Sequence, residues 1–347
     1  MRCSPPLSSP RRSVRSCWTT SSRRRGAAWK PGSTVTDTRG LDIGVYVPQM
    51  GFSFDDVLHR ALRCEDLGIG SLWLYDHMFG PGVPNIPSLE AWTLATALLA
   101  RTERLRVGHM VLCNQFRHPA VLAKMVTTLD QISAGRLELG IGSGSIEDEH
   151  RRMGMEWGTF GERSERLGET LEILHQALGN GTVDFQGKHF TVTDMPIVPG
   201  PVQRPRPPIV VGGVGEKFTL PLVARYADVW NVPTYALDDL DRKRDLLRAA
   251  CADVGRDVDE IVLSVEAVMA LAPDDEALPG VRALAEKRFG GPGFGLREGG
   301  LVGTPGHVVD RIHELAAMGF GQIVLFTHDR ASDQTLDLLA AQVIAAL

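Results

Sequence analysis

Residues 118–144 read HPAVLAKMVTTLDQISAGRLELGIGSG, and this stretch decides the fold. Its first sixteen residues place apolar side chains at helical spacing, which predicts a helix over 118–133. The apolar run at 136–142 is too short for a typical helix and predicts a buried strand. A helix that leads into a buried strand through two residues is one unit of an alternating β/α chain.

The same alternation of strand and helix runs through the rest of the chain after residue 40. Short runs rich in β-branched and leucine side chains predict strands, and segments with helical spacing follow them. The predicted strands cover 41–47, 71–77, 105–112, 136–142, 207–213, 228–232, 260–272 and the end of 304–326. Eight parallel strands alternating with helices predict an α/β fold, the (β/α)8 TIM barrel, rather than an open sheet. Functional residues are then expected at the carboxyl ends of the strands.

Two segments interrupt the alternation. Residues 181–192 (GTVDFQGKHFTV) alternate and turn at Gln186-Gly187, which predicts an inserted hairpin. Residues 273–303 show no clear period, and the GGPGFG stretch near their end predicts a mobile loop. The barrel is therefore expected to carry insertion segments.

Helix starts are also marked in the sequence. Ser88 is a favourable N-cap for the helix predicted over 88–102. Thr304 followed by Pro305 predicts the N-cap and the first residue of the helix before the last strand.

Residues 1–40 differ in composition from the rest of the chain. They contain nine Lys or Arg against one acid, Asp37, and they lack apolar periodicity. Such a segment cannot bury a core, so we predict a disordered basic leader over 1–40 and one barrel domain over 41–347. A transit peptide, a nucleic-acid or membrane arm, and an extension without function are three interpretations of the leader.

The composition of residues 41–347 argues against several classes of protein. They hold 28 basic and 41 acidic side chains, so nucleic acid is not expected as a principal partner. No apolar run reaches the roughly 18 residues that a membrane span needs, so no membrane partner is expected. The five cysteines of the chain are scattered without a CxxC pair, which favours reduced thiols, a cytoplasmic location and no metal site.

Gly140, Gly142 and Gly144 resemble nucleotide-binding and catalytic glycine motifs at first sight. The dinucleotide fingerprint GxGxxG lacks its third glycine, and no clear helix follows directly. Neither Ser143 nor Ser145 lies in the GxSxG context of a hydrolase nucleophile. What remains is a glycine-rich exit from the fourth barrel strand, which suits either a tight turn or the close approach of a flat ligand.

Four strand ends, taken in order, resemble the luciferase-like monooxygenase family of barrels. They are Tyr75-Asp76-His77, the run from Gly108 to Cys113, RHPAVLAKMVTTLDQISAGRLELGIGSG at 117–144 and GGVGEKFTLPLVARYAD at 212–228. The resemblance covers about residues 41–345. The sequences of these segments are most similar to the branch of oxidoreductases that use coenzyme F420 rather than FMN.

The resemblance implies a set of site residues on two of these strand ends. Asp76 would bind the cofactor beside its flat ring, and His77 would be the catalytic residue that handles a proton. Met110 and Val111 would form a bulge with a non-prolyl cis peptide that supports the ring.

Two further strand ends are implied to bind the same cofactor. Ser143 and Gly144 would contact its tail or the edge of its ring. Backbone N–H groups of Gly212 and Gly213 would bind its phosphate, as expected after a late barrel strand. Barrels of this family also tend to form homodimers, so a homodimer is expected.

Ser145 departs from the pattern of this family. Sugar-phosphate dehydrogenases of the family carry a catalytic acid at this position, so the resemblance does not extend to oxidation of a sugar phosphate. Glu147, Asp148 or Glu149 would supply an acid only if the loop predicted over 145–160 folds inward. Otherwise these three residues form a solvated loop.

Three hypotheses for function follow from these residues. The first is an F420-dependent oxidoreductase that transfers a hydride between C5 of the deazaflavin and a small organic substrate. The second is an FMN-dependent monooxygenase on the same fold. The third is a barrel that binds a flavin or deazaflavin without turnover.

Overall fold

The computed structural model describes residues 40–347, and the predicted leader lies outside this range except for Gly40. The eight apolar runs form strands because their side chains are buried on both faces, as parallel sheets require. In chain order the strands are β1 Asp42–Tyr46, β2 Ser71–Leu74, β3 Arg106–His109, β4 Leu112–Cys113, β5 Leu137–Gly142, β6 Thr182–Gln186, β7 Thr191–Pro196, β8 Ile209–Gly212, β9 Val229–Pro233, β10 Val262–Leu271, β11 Leu301–Gly303 and β12 Phe320–Thr327.

Eight of these strands close into a parallel barrel. Each strand pairs with the next in the order β1, β2, β3, β5, β8, β9, β10 and β12. Pairing of β12 with β1, in which Gly44 lies opposite Val324, completes the ring. The predicted TIM barrel is therefore confirmed. The short strand β11 pairs with the last three residues of β10, beyond those that pair with β9, and β4 continues β3 and pairs with β5.

Helices follow the strands and cover the outside of the barrel. They are α1 Phe54–Asp66, α2 Ala91–Arg101, α3 Pro119–Ser133, α4 Glu147–Met153, α5 Phe160–Asn180, α6 Thr219–Tyr226, α7 Leu240–Val254, α8 Leu278–Phe289, α9 Leu296–Gly299, α10 Pro305–Ala317 and α11 Asp333–Leu338. No helix within residues 40–347 is both long and apolar enough to cross a membrane.

The helix starts confirm one prediction and correct another. Thr304 is the N-cap of α10 and Pro305 its first residue, as predicted. The N-cap of α2 is Glu90, whose carboxylate accepts from the amides of Trp92 and Thr93, so the assignment of Ser88 was wrong. Glu90 caps the helix because its longer side chain reaches both free amides of the first turn.

The two interrupting segments are ordered in different ways. Strands β6 and β7 pair antiparallel, which confirms the inserted hairpin. The segment over 273–303 contains two helices, α8 and α9, with GGPGFG as the connection between them. The predicted loop over 145–160 is also wrong in part, because Glu147–Met153 is the helix α4.

Trp73 fills the interior of the barrel. Its indole ring lies against Gly44 of β1 and Gly108 of β3, where a Cβ would come within 2.7 Å and 2.5 Å of ring atoms. Its indole N–H donates to the hydroxyl of Ser71 at 2.9 Å. Glycines on the two flanking strands therefore make the room that one large interior side chain needs.

A layer of polar side chains crosses the barrel at the amino-terminal side of Trp73, and we call it the polar floor. Arg106 forms ion pairs with Asp42 at 2.5 Å and with Glu138 at 3.3 Å. Gln322 donates to both of these acids and accepts from Ser264, and Asn231 donates to Ser264. The members are Asp42, Arg106, Glu138, Asn231, Ser264 and Gln322. The floor closes this end of the barrel with polar groups that pair with one another.

Candidate active site

Other residues of the protein fill the space beside the glycines of the fourth barrel strand, β5. A Cβ at Gly140 would lie 1.8 Å from the carbonyl oxygen of His109, and one at Gly142 would lie 2.8 Å from Cγ2 of Val111. These two glycines let β5 approach the end of β3 closely. Gly144 lies beyond the strand with a φ of 83°, a conformation that favours glycine. Gly140 and Gly142 therefore serve the packing of β5 against β3. Only Ser143 and Gly144 extend to the carboxyl-terminal end of the barrel, which we call the mouth.

The third barrel strand is interrupted at the predicted bulge. The peptide bond between Met110 and Val111 is cis, as the resemblance implied. Met110 points into the barrel and packs with Tyr46, Trp73 and Tyr75. Val111 faces Gly142 and Gly212. The bulge thus presents two apolar side chains at the mouth, between β3 and β5.

Asp76 is held by protein groups at the end of β2. Its carboxylate accepts from the two terminal nitrogens of Arg117 at 2.7 and 3.0 Å and from the amide of Cys113 at 2.9 Å. Arg117 also pairs with Glu90 at 2.5 Å. Asp76 is almost fully buried, so it ties the end of β2 to the segment after the bulge. Contact between Asp76 and a cofactor stays a prediction.

His77 and Glu149 form a hydrogen-bonded pair. Nδ1 of His77 lies 2.8 Å from Oε2 of Glu149, and Oε1 of Glu149 accepts from the amide of Met78 at 2.6 Å. The Glu149 side chain is 2% exposed and that of His77 is 25% exposed. Because a carboxylate only accepts, Nδ1 is the donor of this bond, so a ring with a single proton has its lone pair on Nε2. Nε2 has no partner within residues 40–347.

Helix α4 brings Glu149 to His77. Among the three acids that the sequence left open, Glu147 is exposed and Asp148 pairs with Arg151 and Arg152 on its own helix. Glu149 alone turns inward. Ser145, where the resemblance implied an acid in sugar-phosphate dehydrogenases, is exposed. Glu149 therefore supplies an acid at the mouth, four residues after Ser145, and it is hydrogen-bonded to the imidazole of His77.

Two other histidines near the mouth are poorly suited to proton transfer. His109 is fully buried and stacks on Trp92, and burial lowers its pKa to about 4. His150 is fully buried between the carbonyl of Ile146 and the thiol of Cys113. Burial raises the pKa of the Cys113 thiol to about 12, so this thiol is inert at neutral pH. His77 is the partly exposed imidazole of this group.

Free backbone N–H groups follow β8, and they begin one residue after the predicted pair, Gly212 and Gly213. The amide of Gly213 already donates to the carbonyl of Asn231 at 3.1 Å, and Trp230 bonds to the carbonyl of Gly213. The amides of Val214–Phe218 form no hydrogen bond within residues 40–347, and α6 begins directly after them. Lys217 is exposed on this segment. Free N–H groups before a helix suit an anion such as a phosphate.

The predicted site residues lie on one arc of the mouth. Asp76 and His77 follow β2, the bulge follows β3, and Ser143 and Gly144 follow β5, which pairs with β8 before Gly212 and Gly213. The structure thus brings the predicted strand ends together on four neighbouring barrel strands. Sequence reasoning missed Arg117, Glu90 and Asn114, and only Arg117 lies inside a stretch that carried the resemblance.

Residues 33–287 match the family model described as luciferase-like monooxygenase. The chain belongs to the luciferase-like monooxygenase family.

Several members of the family are similar to this chain. An F420-dependent glucose-6-phosphate dehydrogenase of Amycolatopsis mediterranei (strain U-32) is 33% identical over 190 residues, 54% of each chain. The protein of the same name from Microbacterium testaceum (strain StLB037) is 31% identical over 262 residues, 73% of each chain. An FMNH(2)-dependent dimethylsulfone monooxygenase of Pseudomonas putida is 27% identical over 267 residues, 68% of this chain and 72% of that one. The first match spans about half the length of that relative.

Solved structures show the same fold. An F420-dependent secondary alcohol dehydrogenase in complex with an F420-acetone adduct superposes with a TM-score of 0.75 at 20% identity, over 88% of this chain and 99% of that one. At this identity the likeness concerns the fold, and it supports the barrel topology described above.

The mouth has features that fit a flat cofactor with a phosphate. The side chain of Asn114 is buried directly after β4, and neither its oxygen nor its nitrogen has a partner within residues 40–347. The free amides of Val214–Phe218 and Nε2 of His77 are further groups that a ligand would satisfy. Met110 and Val111 supply an apolar support between them. Buried polar groups without partners are rare in proteins, so the side chain of Asn114 calls for a water or a ligand that satisfies it.

Proposed function

We propose that this protein is an F420-dependent oxidoreductase that exchanges a hydride with a small organic substrate. The His77–Glu149 pair carries this proposal, because an imidazole hydrogen-bonded to a carboxylate near the bulge of a luciferase-like barrel would suit proton transfer. Relatives described as F420-dependent support the choice of cofactor. The substrate is proposed only as a small organic molecule that is oxidised or reduced at carbon.

The bound cofactor would supply a carbon that accepts or donates a hydride. Met110 and Val111 would hold the flat ring, and the amides of Val214–Phe218 with Lys217 would hold its phosphate. Ser143 and Gly144 lie between these two regions and would contact the edge or tail. Asp76 would act through the Arg117 and Cys113 contacts that fix the end of β2.

His77 would move the proton that accompanies the hydride. When a hydride leaves a carbon that carries a hydroxyl, the hydroxyl proton must pass to a base, and Nε2 of His77 has the free lone pair. Glu149 keeps the proton on Nδ1 and balances the positive charge of the imidazolium. In the reverse direction Nε2–H returns the proton to the oxygen of the reduced substrate. Both directions use the same two groups.

FMN is the second candidate cofactor. The dimethylsulfone monooxygenase of Pseudomonas putida is described as FMNH(2)-dependent and matches 68% of this chain. The apolar bulge and the phosphate-binding amides would suit either flat ring. In an FMN monooxygenase His77 would donate a proton to an oxygen-derived group rather than exchange one with an alcohol.

A direct binding experiment tests the cofactor. The purified protein is titrated separately with F420 and with reduced FMN, and fluorescence is followed. We expect tight binding of F420 and weak binding of FMN. The opposite order would replace the proposal by the FMN monooxygenase, and F420 binding without turnover over a substrate panel would favour a non-catalytic barrel.

A variant of His77 tests the proton-transfer role. His77→Ala is expected to lower kcat by about 10²- to 10⁴-fold with an unchanged dissociation constant for F420. His313→Ala, on the exposed face of α10, is the matched control and should leave kcat unchanged. An unchanged kcat in His77→Ala would remove the assignment.

The proposal also covers the oligomeric state and the location of the protein. We propose a homodimer through the apolar groove between α2 and α3, where Val121 and Ile132 are 54% and 48% exposed. Sedimentation of the wild type and of Val121→Asp tests it, since a charge in the groove should yield monomers. Cys64, Cys113 and Cys251 are free thiols, in keeping with the proposed cytoplasmic location.

A further inference from the structure

One interior carboxyl belongs neither to the polar floor nor to the His77–Glu149 pair. Glu266 lies in the middle of β10, two residues after Ser264, so both side chains point into the barrel. Its register partners are Val324 on β12 and Pro233, the last residue of β9. Glu266 therefore lies one interior step above the polar floor, on the side of the mouth.

Glu266 has no polar partner among the residues that the structure describes. Its carboxyl forms no hydrogen bond and no ion pair within residues 40–347, in contrast to Glu138 of the floor. Burial raises the pKa of Glu266 to about 7, because the ionised form is poorly solvated there. A polar group in such surroundings costs stability unless a ligand compensates it.

Tyr46 is a second unpartnered group beside Glu266. Its ring packs edge-on against Phe326 at 4.9 Å, and its hydroxyl forms no hydrogen bond within the described part of the chain. Burial, followed by the charges of Glu266 and Tyr75, raises the pKa of Tyr46 well above its usual value. Tyr46 therefore remains a neutral phenol that can donate or accept.

The remaining accessible surface of Glu266 faces the mouth. Glu266 is partly exposed, whereas Ser264 and Gln322 directly beneath it are 0% and 4% exposed. The interior side chains around it are aromatic or aliphatic: Tyr46, Trp73, Tyr75, Met110, Val324 and Phe326. The flanking strands β9 and β12 supply no titratable side chain at its level, only Pro233 and Val324. The titratable groups facing it are Tyr46 and Tyr75, with Asp42, Arg106 and Glu138 in the floor below.

We propose that Glu266 and Tyr46 form a polar seat inside the barrel that binds an N–H or O–H donor of a molecule entering through the mouth. The donor belongs either to the edge of the flat cofactor or to a hydroxyl of the substrate. The inference rests on the proposed function, since both molecules are those of the oxidoreductase. The seat selects ligands that bring a donor, because a ligand without one leaves the buried carboxylate unpaired.

Binding measurements at two pH values test the seat without relying on turnover. F420 is titrated into the wild type, Glu266→Gln and Tyr46→Phe at pH 5.5 and pH 8.5, with fluorescence as the readout. Glu260→Gln, an exposed acid just before the same strand, is the matched control. The titration of the ligand itself is common to all proteins and cancels in their ratios.

A second arm distinguishes the two sources of the donor. The F420-saturated proteins are titrated with 2-propanol, which brings a hydroxyl, and with acetone, which does not, by calorimetry. If the cofactor brings the donor, Glu266→Gln loses about tenfold in F420 affinity at pH 8.5 and little at pH 5.5, the change that one pKa unit represents. Tyr46→Phe should show a smaller loss. If the substrate brings the donor, F420 affinity is unchanged and the preference for 2-propanol over acetone disappears.

The outcomes that contradict the inference are distinct from those that contradict the proposed function. Equal F420 affinities in wild type and Glu266→Gln at both pH values, together with an equal preference for 2-propanol, overturn the seat alone. The same loss in Glu260→Gln also overturns it, because the effect would then be one of general charge. A wild type that binds neither F420 nor FMN overturns the proposed function and the seat together.

Discussion

The two ends of the barrel interior treat polar side chains in opposite ways. In the polar floor every acid has a partner, because Arg106 pairs with both Asp42 and Glu138 and Gln322 bonds to each of them. One interior step higher, the carboxyl of Glu266 and the hydroxyl of Tyr46 have no hydrogen-bond partner in the described part of the chain. Both layers are enclosed by the same eight strands, but only the upper layer keeps surface that a ligand could reach from the mouth, since Glu266 is partly exposed and Ser264 and Gln322 are buried.

This difference separates polar groups that stabilise the fold from polar groups that await a ligand. A paired buried ion contributes little net stability, but its removal leaves an unpaired charge that costs much. An unpaired buried ion already carries that cost, so its removal should stabilise the protein. Substitutions at the two levels should therefore change the free energy of unfolding with opposite signs.

The largest effect is expected in the floor. Arg106→Met leaves the carboxylates of Asp42 and Glu138 buried without their cation, which should lower the free energy of unfolding by about 3–5 kcal/mol at pH 7. Urea unfolding measures it, with Arg101→Met on an exposed position of α2 as the control. A loss below about 1 kcal/mol would contradict a paired floor.

The barrel and its strand ends were predictable because they depend on local patterns. Apolar runs of strand length and helical periodicity are properties of neighbouring residues, and they placed His77, Met110 and Val111 at strand ends correctly. The inward turn of Glu149 was not predictable, because it depends on how α4 packs against the end of β2. Nor does the sequence show that Glu266 lacks a partner, since that requires the register of β9, β10 and β12.

The glycine stretch illustrates the same limit. Its spacing excluded a nucleotide loop, but the sequence left open whether Gly140 and Gly142 make room for a ligand or for the protein. The neighbours that decide this, His109 and Val111, are about 30 residues away in the chain. Contacts between strands that are not adjacent in sequence are fixed by the barrel as a whole.

Glu266→Gln should stabilise the ligand-free protein at high pH. Its folded pKa of about 7 lies above the ordinary value of 4.5, so ionisation costs stability as the pH rises between these values. The variant should exceed the wild type by up to about 3 kcal/mol above pH 7 and by almost nothing below pH 4.5. Unfolding by urea at pH 4.5, 6 and 8 measures the difference. An advantage that is independent of pH would show that Glu266 does not titrate in this range.

Glu149→Gln tests a paired acid that lies at the mouth rather than in the floor. The amide oxygen can still accept from one donor, but it cannot serve both His77 and the amide of Met78. We expect kcat to fall by about 10- to 100-fold, as for other partners that orient a functional imidazole, with KM changed less. The ¹⁵N shifts of the His77 ring would show a loss of the Nδ1–H tautomer. Glu147→Gln, on the exposed side of α4, is the control, and a normal tautomer in Glu149→Gln would show that Glu149 does not set it.

The smallest effects are expected for two hydroxyl groups, that of Ser264 in the polar floor and that of Tyr46 in the polar seat. Ser264 bonds to both Gln322 and Asn231, so Ser264→Ala should cost about 1–3 kcal/mol by leaving buried partners unsatisfied. The hydroxyl of Tyr46 has no such bond within residues 40–347, so Tyr46→Phe should change the free energy of unfolding by less than about 0.5 kcal/mol. Chemical unfolding of both variants at pH 6 gives the two numbers side by side. A large loss in Tyr46→Phe would mean that its hydroxyl is bonded within the ligand-free protein, and the seat would then belong to the structural layer below it.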